Sequence, residues 1–235
     1  MRVALLADIH GNADALGAVL SAARVAGVER LLIAGDLVGY YPDAVRVLDL
    51  LDEWNWVSVG GNHEAMLDQW RQGEDHEVIG NKYGTALARA VEELDAARID
   101  MLVSLPATID LEVGARRVRL CHGTPWNRDA YVYPDADKNV RVRFVEGSLD
   151  MVVFGHTHYP TEWRVGETLV VNPGSVGQPR DHMPGACWAL WDTTNNNVEQ
   201  HRESYDMKPL IARCQVNDPK MPFLWTVLTR TPNIQ

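Results

Sequence analysis

Aspartate, asparagine and histidine, a donor set suited to divalent cations, recur in five short segments of this chain. They are Asp8-Ile9-His10, Gly35-Asp36, Gly61-Asn62-His63-Glu64, His122-Gly123 and Gly155-His156-Thr157-His158. Carboxylate, amide oxygen and imidazole together suit borderline or hard ions such as Mn, Fe, Zn or Ni, and the absence of thiolate argues against a soft-metal site. A single histidine at a strand end is ordinarily a hydrogen-bonded structural residue. Here His10, His63, His122, His156 and His158, five of the eight histidines, share that location, which independent structural histidines have no reason to do.

Each segment follows a stretch that reads as a strand, where open α/β sheets place their ligands. Residues 2 to 7 read as a buried strand. Asn12 caps a helix carrying Leu16, Val19, Leu20 and Ala23 up to Gly27. Leu31 to Ala34 and Trp56 to Val59 are further strands, with a helix from Pro42-Asp43 bearing Val45, Leu48 and Leu51 between them. Helical patterns follow near 63 to 71 and 81 to 97. After Pro106 the texture changes to a hairpin, Ala107 to Glu112 and Arg116 to Cys121, which opens a second sheet. Strands are expected at Met151 to Phe154, Thr168 to Val171, Cys187 to Asp192 and Val198 to Glu203, with one helix around Lys138 to Glu146. Residues 206 to 235 carry Pro209, Pro219, Pro222 and Pro232 and show no period. We read 1–205 as one catalytic domain and 206–235 as a C-terminal extension, either a surface wrap or a partner-binding segment.

With 46% hydrophobic residues the chain can bury a sizeable core, and its formal charge of −10 argues against a nucleic-acid polymer or an anionic membrane as partner. Three cysteines without Cys-x-x-Cys spacing, no apolar run long enough to span a bilayer and no signal-like start point to the cytoplasm. Eight tryptophans, with Trp225 in the tail, would suit a homodimer surface or a buried cover.

The order and neighbours of these segments resemble the calcineurin-like metallophosphoesterase family, in particular its compact bacterial and archaeal phosphodiesterases. The resemblance runs from Asp8 to about Asp181. It includes Gly-Asp-Leu-Val-Gly-Tyr at 35 to 40, Gly-Asn-His-Glu at 61 to 64, Gly-His-Thr-His at 155 to 158 and Asn-Pro-Gly-Ser-Val-Gly at 172 to 177. It implies an α/β fold, a four-layer α-β-β-α sandwich of two mixed sheets flanked by helices. It also implies two divalent ions per chain, Mn2+ foremost with Fe, Zn, Ni or Mg as alternatives.

Carried over, Asp8, His10, Asp36 and His158 bind one ion and Asp36, Asn62, His122 and His156 the other. The two oxygens of Asp36 would then bridge cations ~3.5–4 Å apart that share one hydroxide, the nucleophile on phosphorus. His63 would protonate the leaving alkoxide, so that His63 and Asp36 are the catalytic pair. In the family's protein phosphatases an Asp-Arg pair extends the Gly-Asp motif. Here Gly39 and Tyr40 stand there, which disfavours phosphoprotein and leaves the partner of His63 open. Glu64 could help His63 indirectly, but reads first as a solvated charge in a helix's first turn.

Asn62, His63, Arg180 and Tyr40 are the candidate substrate contacts, although Arg180 could equally be a solvated surface residue. Tyr40, Tyr41 and Trp126 could stack on a nucleobase or aryl group, or simply cap the core. The loop from Asn172 to Ser175 could aim amides at the metal edge or support His156 and His158 from behind. The reaction implied is hydrolysis of phosphodiesters or phosphomonoesters, on a small, nucleotide-like or aryl substrate. A nucleotide or dinucleoside polyphosphate phosphatase is the second reading, and a non-catalytic scaffold of the same fold or a nuclease for long DNA are the remaining ones.

Overall fold

The computed structural model describes residues 1–232. Along the chain run β1 (Arg2–Leu6), α1 (Ala13–Val25), β2 (Arg30–Ile33), α2 (Ala44–Leu51), β3 (Trp56–Ser58) and α3 (Asn62–Arg71). Three short helices follow, α4 (His76–Tyr83), α5 (Ala86–Glu93) and α6 (Ala96–Val103), and then the hairpin β4 (Thr108–Val113) and β5 (Arg116–Cys121). The second half comprises α7 (Lys138–Arg143), β6 (Met151–Val153), β7 (Thr161–Val165), β8 (Thr168–Asn172), β9 (Ala186–Asp192), β10 (Asn197–Glu203), α8 (Lys208–Asn217) and α9 (Phe223–Thr226).

Two five-stranded mixed sheets result, in the orders β10-β9-β1-β2-β3 and β4-β5-β6-β8-β7. Strand β1 shows why the sequence yields a layered fold. Val3 and Leu5 point into the apolar seam between the sheets, against Val118, Leu120, Val153 and Val171, while Ala4 and Leu6 face the layer of Leu16, Val19 and Leu48. A strand buried on both faces must be apolar at every position, so it reads as a run and not as an alternation. On the outer face of the second sheet, Phe144, Phe154 and Trp163 form a separate cluster over which the six-residue helix α7 lies. The four layers expected are present, although the outer layer on this side holds one short helix among the described residues.

The expected helix 81 to 97 is in fact parts of three, the end of α4, all of α5 and the start of α6. Gly84 takes a left-handed φ of 84° at the end of α4, and Leu94 leaves α5 in extended conformation, so an apolar period that runs across both breaks belongs to different helices. Helix α6 and strand β7 were not expected. The tail covers Tyr41: Leu210, Cys214, Leu224 and Leu228 bury its ring, its hydroxyl donates to Leu224 O at 3.0 Å, and Arg213 forks onto Asp43. Among the described residues no helix is long and apolar enough to cross a membrane.

Candidate metal centre and active site

Strands β1, β2 and β3 are mutually parallel, as are β5 and β6, so the loops that leave them open at one edge of the sandwich. That edge brings together all seven candidate ligands and His63. The loops are stitched across the two sheets: His156 N donates to Asp8 Oδ1 and Oδ2 at 3.1 and 3.0 Å, and His122 Nδ1 lies 2.7 Å from Ala34 O. Of the nine described non-glycine residues with positive φ, six are Asp8, His10, Asp36, Tyr40, His156 and His158, with φ between 43° and 69°. Each such conformation costs on the order of 1–3 kcal/mol and persists only where its surroundings enforce it, a pattern that marks functional loops.

The ring nitrogens converge as electron-pair donors. His10, His122 and His158 each place Nδ1 on a backbone carbonyl, of Val38 (3.2 Å), Ala34 (2.7 Å) and Gln178 (2.6 Å). A carbonyl only accepts, so Nδ1 carries the proton of each neutral ring and Nε2 presents a lone pair to the interior. His10 Nε2 then faces His158 Nε2 at 3.1 Å, with Asp36 Oδ2 at 3.6 Å. His122 Nε2 faces Asn62 Oδ1 and His156 Nδ1, each at 3.0 Å, and Asp36 Oδ2 at 3.3 Å. Ligands about 2.1 Å from one cation stand about 3.0–3.4 Å from one another. Lone pairs packed at that spacing repel unless a cation or a proton lies between them, so the residues fit metal ions. Asp8, His10 and His158 form one compact group, and Asp36, His122 and His156 a second.

The two oxygens of Asp36 have different surroundings. Its Oδ1 accepts the His63 amide at 2.9 Å, at the start of α3, and only Oδ2 lies against both histidine groups. Oδ2 is therefore the oxygen turned to the histidines, while the helix terminus holds Oδ1. A side chain at Gly61 would collide with that Oδ1, which is why the turn into α3 has glycine there.

Protonation follows these surroundings. Burial opposes the charged form of Asp36, yet His122 and His63 beside it hold its carboxyl well below the usual range. Burial outweighs the attraction of His122 at Asp8 and pushes it up to about 7. For His122 burial is overcome by Asp36, which attracts the charge and hydrogen-bonds the ring, and by Asp8, so the ring is raised to about 9. Burial lowers His63 to about 4, although Asp36 opposes this.

Glu64 overturns the solvated reading. It is 2% exposed and accepts the amides of Asp36 (3.0 Å), Leu37 (2.8 Å), Val38 (3.3 Å) and Gly61 (2.7 Å). One carboxylate thus clamps the loop after β2 to the start of α3. Glu64→Ala is expected to destabilise the fold by about 3–5 kcal/mol, since it strands four buried donors. A urea midpoint matching that of the parent would contradict the clamp.

The loop after β8 supports the centre from behind and does not aim amides at it. Asn172 Nδ2 donates to Gly155 O (2.9 Å) and Thr157 Oγ1 (3.1 Å), Ser175 Oγ to Asp8 O (2.7 Å), and the amides of Val176 and Gly177 to Ala7 O and Asp8 O. Of the expected aromatic contacts, Tyr40 stands in the wall of the site, 4.6 and 4.7 Å from the His10 and His63 rings, with its hydroxyl 3.0 Å from Arg180 Nη2. Tyr41 is buried beneath the tail, and Trp126 packs on Phe144 under Arg143, so neither faces the centre. Sequence reading missed the cleft beside Asn62 and His156, which is lined by Lys82, Tyr83, Arg128 and Tyr131. These residues lie outside the strand-end segments, and no spacing marks them.

Comparison with known proteins identifies the family. Residues 1–196 match the calcineurin-like phosphoesterase superfamily domain. The uncharacterized protein MJ0912 of Methanocaldococcus jannaschii is 30% identical over 224 residues, 88% of each chain. Phosphodiesterase YfcE of Escherichia coli K12 is 25% identical over 205 residues, 81% of this chain and 87% of that one. The crystal structure of a metallophosphoesterase from Sphaerobacter thermophilus superposes with a TM-score of 0.79 at 27% identity, covering 98% of both chains. The chain belongs to the calcineurin-like phosphoesterase superfamily, and with it to the metal-dependent phosphoester hydrolases.

Proposed function

We propose that the chain hydrolyses small phosphodiesters, with phosphomonoesters as a second class, at a pair of divalent cations. The observation that carries this reading is the convergence of four imidazoles among Asp8, Asp36 and Asn62, His10 with His158 and His122 with His156, their lone pairs opposed in each pair. Asp8, His10, Asp36 and His158 would hold one ion, and Asp36, Asn62, His122 and His156 the other. Mn2+ is the ion we propose, with Fe, Zn, Ni or Mg as competitors for the same oxygen and nitrogen donors. When bound, the ions would supply Lewis acidity toward the phosphoryl oxygens and a water acidic enough to act near neutral pH.

The protein's own part is orientation and proton supply. His63 stands within the same edge, wedged between the rings of His10, Tyr40 and Tyr83 at 4.5, 4.7 and 5.0 Å. A side chain at Gly39 would strike its Nδ1, so glycine makes room for the ring where the protein phosphatases carry an acidic partner. Burial keeps His63 neutral at rest. A phosphoester anion beside it would raise its proton affinity, so the imidazolium that protonates the leaving oxygen forms with substrate in place. Arg180, braced by Tyr40 and by Gln178 Oε1 at 3.0 Å, would approach a non-bridging oxygen. We assign catalysis to 1–205 and, of the extension 206–235, give residues 206–232 the role of a cover over Tyr41; 233–235 lie outside the described residues. The three cysteines, all free and buried, are consistent with a cytoplasmic protein.

Metal-stripped protein titrated with Mn2+ at pH 7 is expected to take up two ions per chain and to release about one proton or more. His122, raised to about 9, is mostly protonated there, and Asp8, at about 7, is half so; ligation removes both protons. Affinity should therefore rise with pH across this range. Hydrolysis of bis(p-nitrophenyl) phosphate should appear only after loading and exceed that of p-nitrophenyl phosphate. Full loading with no turnover on either ester would favour a scaffold of the same fold.

A further inference from the structure

Beside Asn62 and His156 the edge opens into a cleft of about 330 Å³, at the small end of the range for organic ligands. Its composition is particular. Tyr131 stands 4.0 Å from the His156 ring and is 54% exposed, and Tyr83 stands 5.0 Å from the His63 ring. Each tyrosine thus leans on an imidazole of the centre and turns its remaining surface to the cleft. Met66, from α3, adds an apolar patch, and Gln69, one turn further on, offers an amide.

Charge adds a second requirement. In a chain with a formal charge of −10, this cleft receives two cations, Lys82 and Arg128, against the single acid Asp129. Lys82 Nζ lies 5.0 Å over the Tyr83 ring, and the buried Arg128 Nε has no hydrogen-bond partner among the described residues. Among the described residues the only carboxylate paired with that guanidinium is Asp129, at 3.8 Å. Flat aromatic walls favour a ring that stacks, and cations placed beside them favour an anion attached to that ring.

We propose that this cleft binds the organic part of the substrate, and that this part is an aromatic base carrying phosphate beyond the one attacked: a nucleoside oligophosphate. The inference rests on the phosphoesterase reading above and names the substrate class of that site. Tyr83 and Tyr131 would stack the base, while Lys82 and Arg128 would meet the additional phosphate.

The test is calorimetric binding to Mn2+-loaded protein, using the non-hydrolysable adenosine 5′-(α,β-methylene)diphosphate, adenosine 5′-monophosphate and inorganic phosphate as probes. The diphosphate analogue is expected to bind at least about tenfold more tightly than inorganic phosphate, with the monophosphate between them. Tyr131→Ala should weaken both nucleotides about tenfold, and Lys82→Ala the diphosphate more than the monophosphate; both side chains are exposed, so the fold tolerates their loss. A diphosphate analogue that binds no better than phosphate, or a preference unchanged in both variants, overturns the proposal. A phosphoserine peptide that outcompetes the nucleotides overturns it too. Those results leave metal-dependent hydrolysis of bis(p-nitrophenyl) phosphate untouched, whereas loss of that hydrolysis in the parent protein is the failure of the phosphoesterase reading.

Discussion

Asp36→Asn is expected to abolish retention of both cations and to cut turnover at least about a thousandfold, while the protein stays folded. The substitution is nearly isosteric, and the amide oxygen can still accept the His63 N–H that Oδ1 holds at 2.9 Å. What changes is the group facing the histidines. Asp36 Oδ2 lies 3.6 Å from His10 Nε2 and 3.3 Å from His122 Nε2, between the inward-facing nitrogens of both groups. An NH2 in its place donates to those nitrogens, which satisfies the lone pairs that a cation would otherwise take and brings no negative charge. Several kcal/mol of transition-state charge stabilisation go with the ions, and each 1.4 kcal/mol is tenfold in rate. Asp8→Asn is the contrasting case, since Asp8 lies with His10 and His158 in one group alone and one ion should remain. Metal content by plasma emission, read beside kcat and the melting temperature, separates the two. Two ions retained by the Asp36 variant would show that the bridge is elsewhere.

Much of this centre is legible in the sequence because the candidate ligands Asp8 and Asp36 follow strands that are buried on both faces. Such strands must be continuous apolar runs, so Val3 to Ala7 and Leu31 to Ala34 stand out, and the first polar residue after each is Asp8 or Asp36. What stays hidden depends on contacts between segments distant in sequence. A glutamate at the third position of a helix ordinarily meets water, and nothing near Glu64 reveals that three amides from the loop after β2 converge on it. Tyr41 reads as a site aromatic because it follows Tyr40, but the tail that buries it lies far along the chain. Tyr131 gives no local signal: it is on a loop without period, and only the fold brings it onto His156. The helix expected at 81 to 97 failed differently. Ala86 and Ala90 do share an apolar face, but Gly84 and the extended Leu94 interrupt the backbone that would have carried it further.

The role of His63 separates into two measurable parts. His63 lies with His10 and Asp36 in a group compact enough to ligate a metal, so geometry alone admits a third ligand as well as a proton donor. His63→Asn distinguishes them. A donor is dispensable for metal retention, because the Asp36 contact at the start of α3 comes from the residue 63 backbone amide, which asparagine keeps. The variant should hold two ions and lose about 10²–10⁴-fold in turnover on an alkyl phosphodiester, whose alkoxide departs poorly without a proton. On bis(p-nitrophenyl) phosphate the loss should be far smaller, since p-nitrophenolate leaves unprotonated at neutral pH. That split between leaving groups is the signature of acid assistance. An equal loss on both esters together with one missing ion would make His63 a ligand, and turnover unchanged on the alkyl ester would leave it no part in the chemistry.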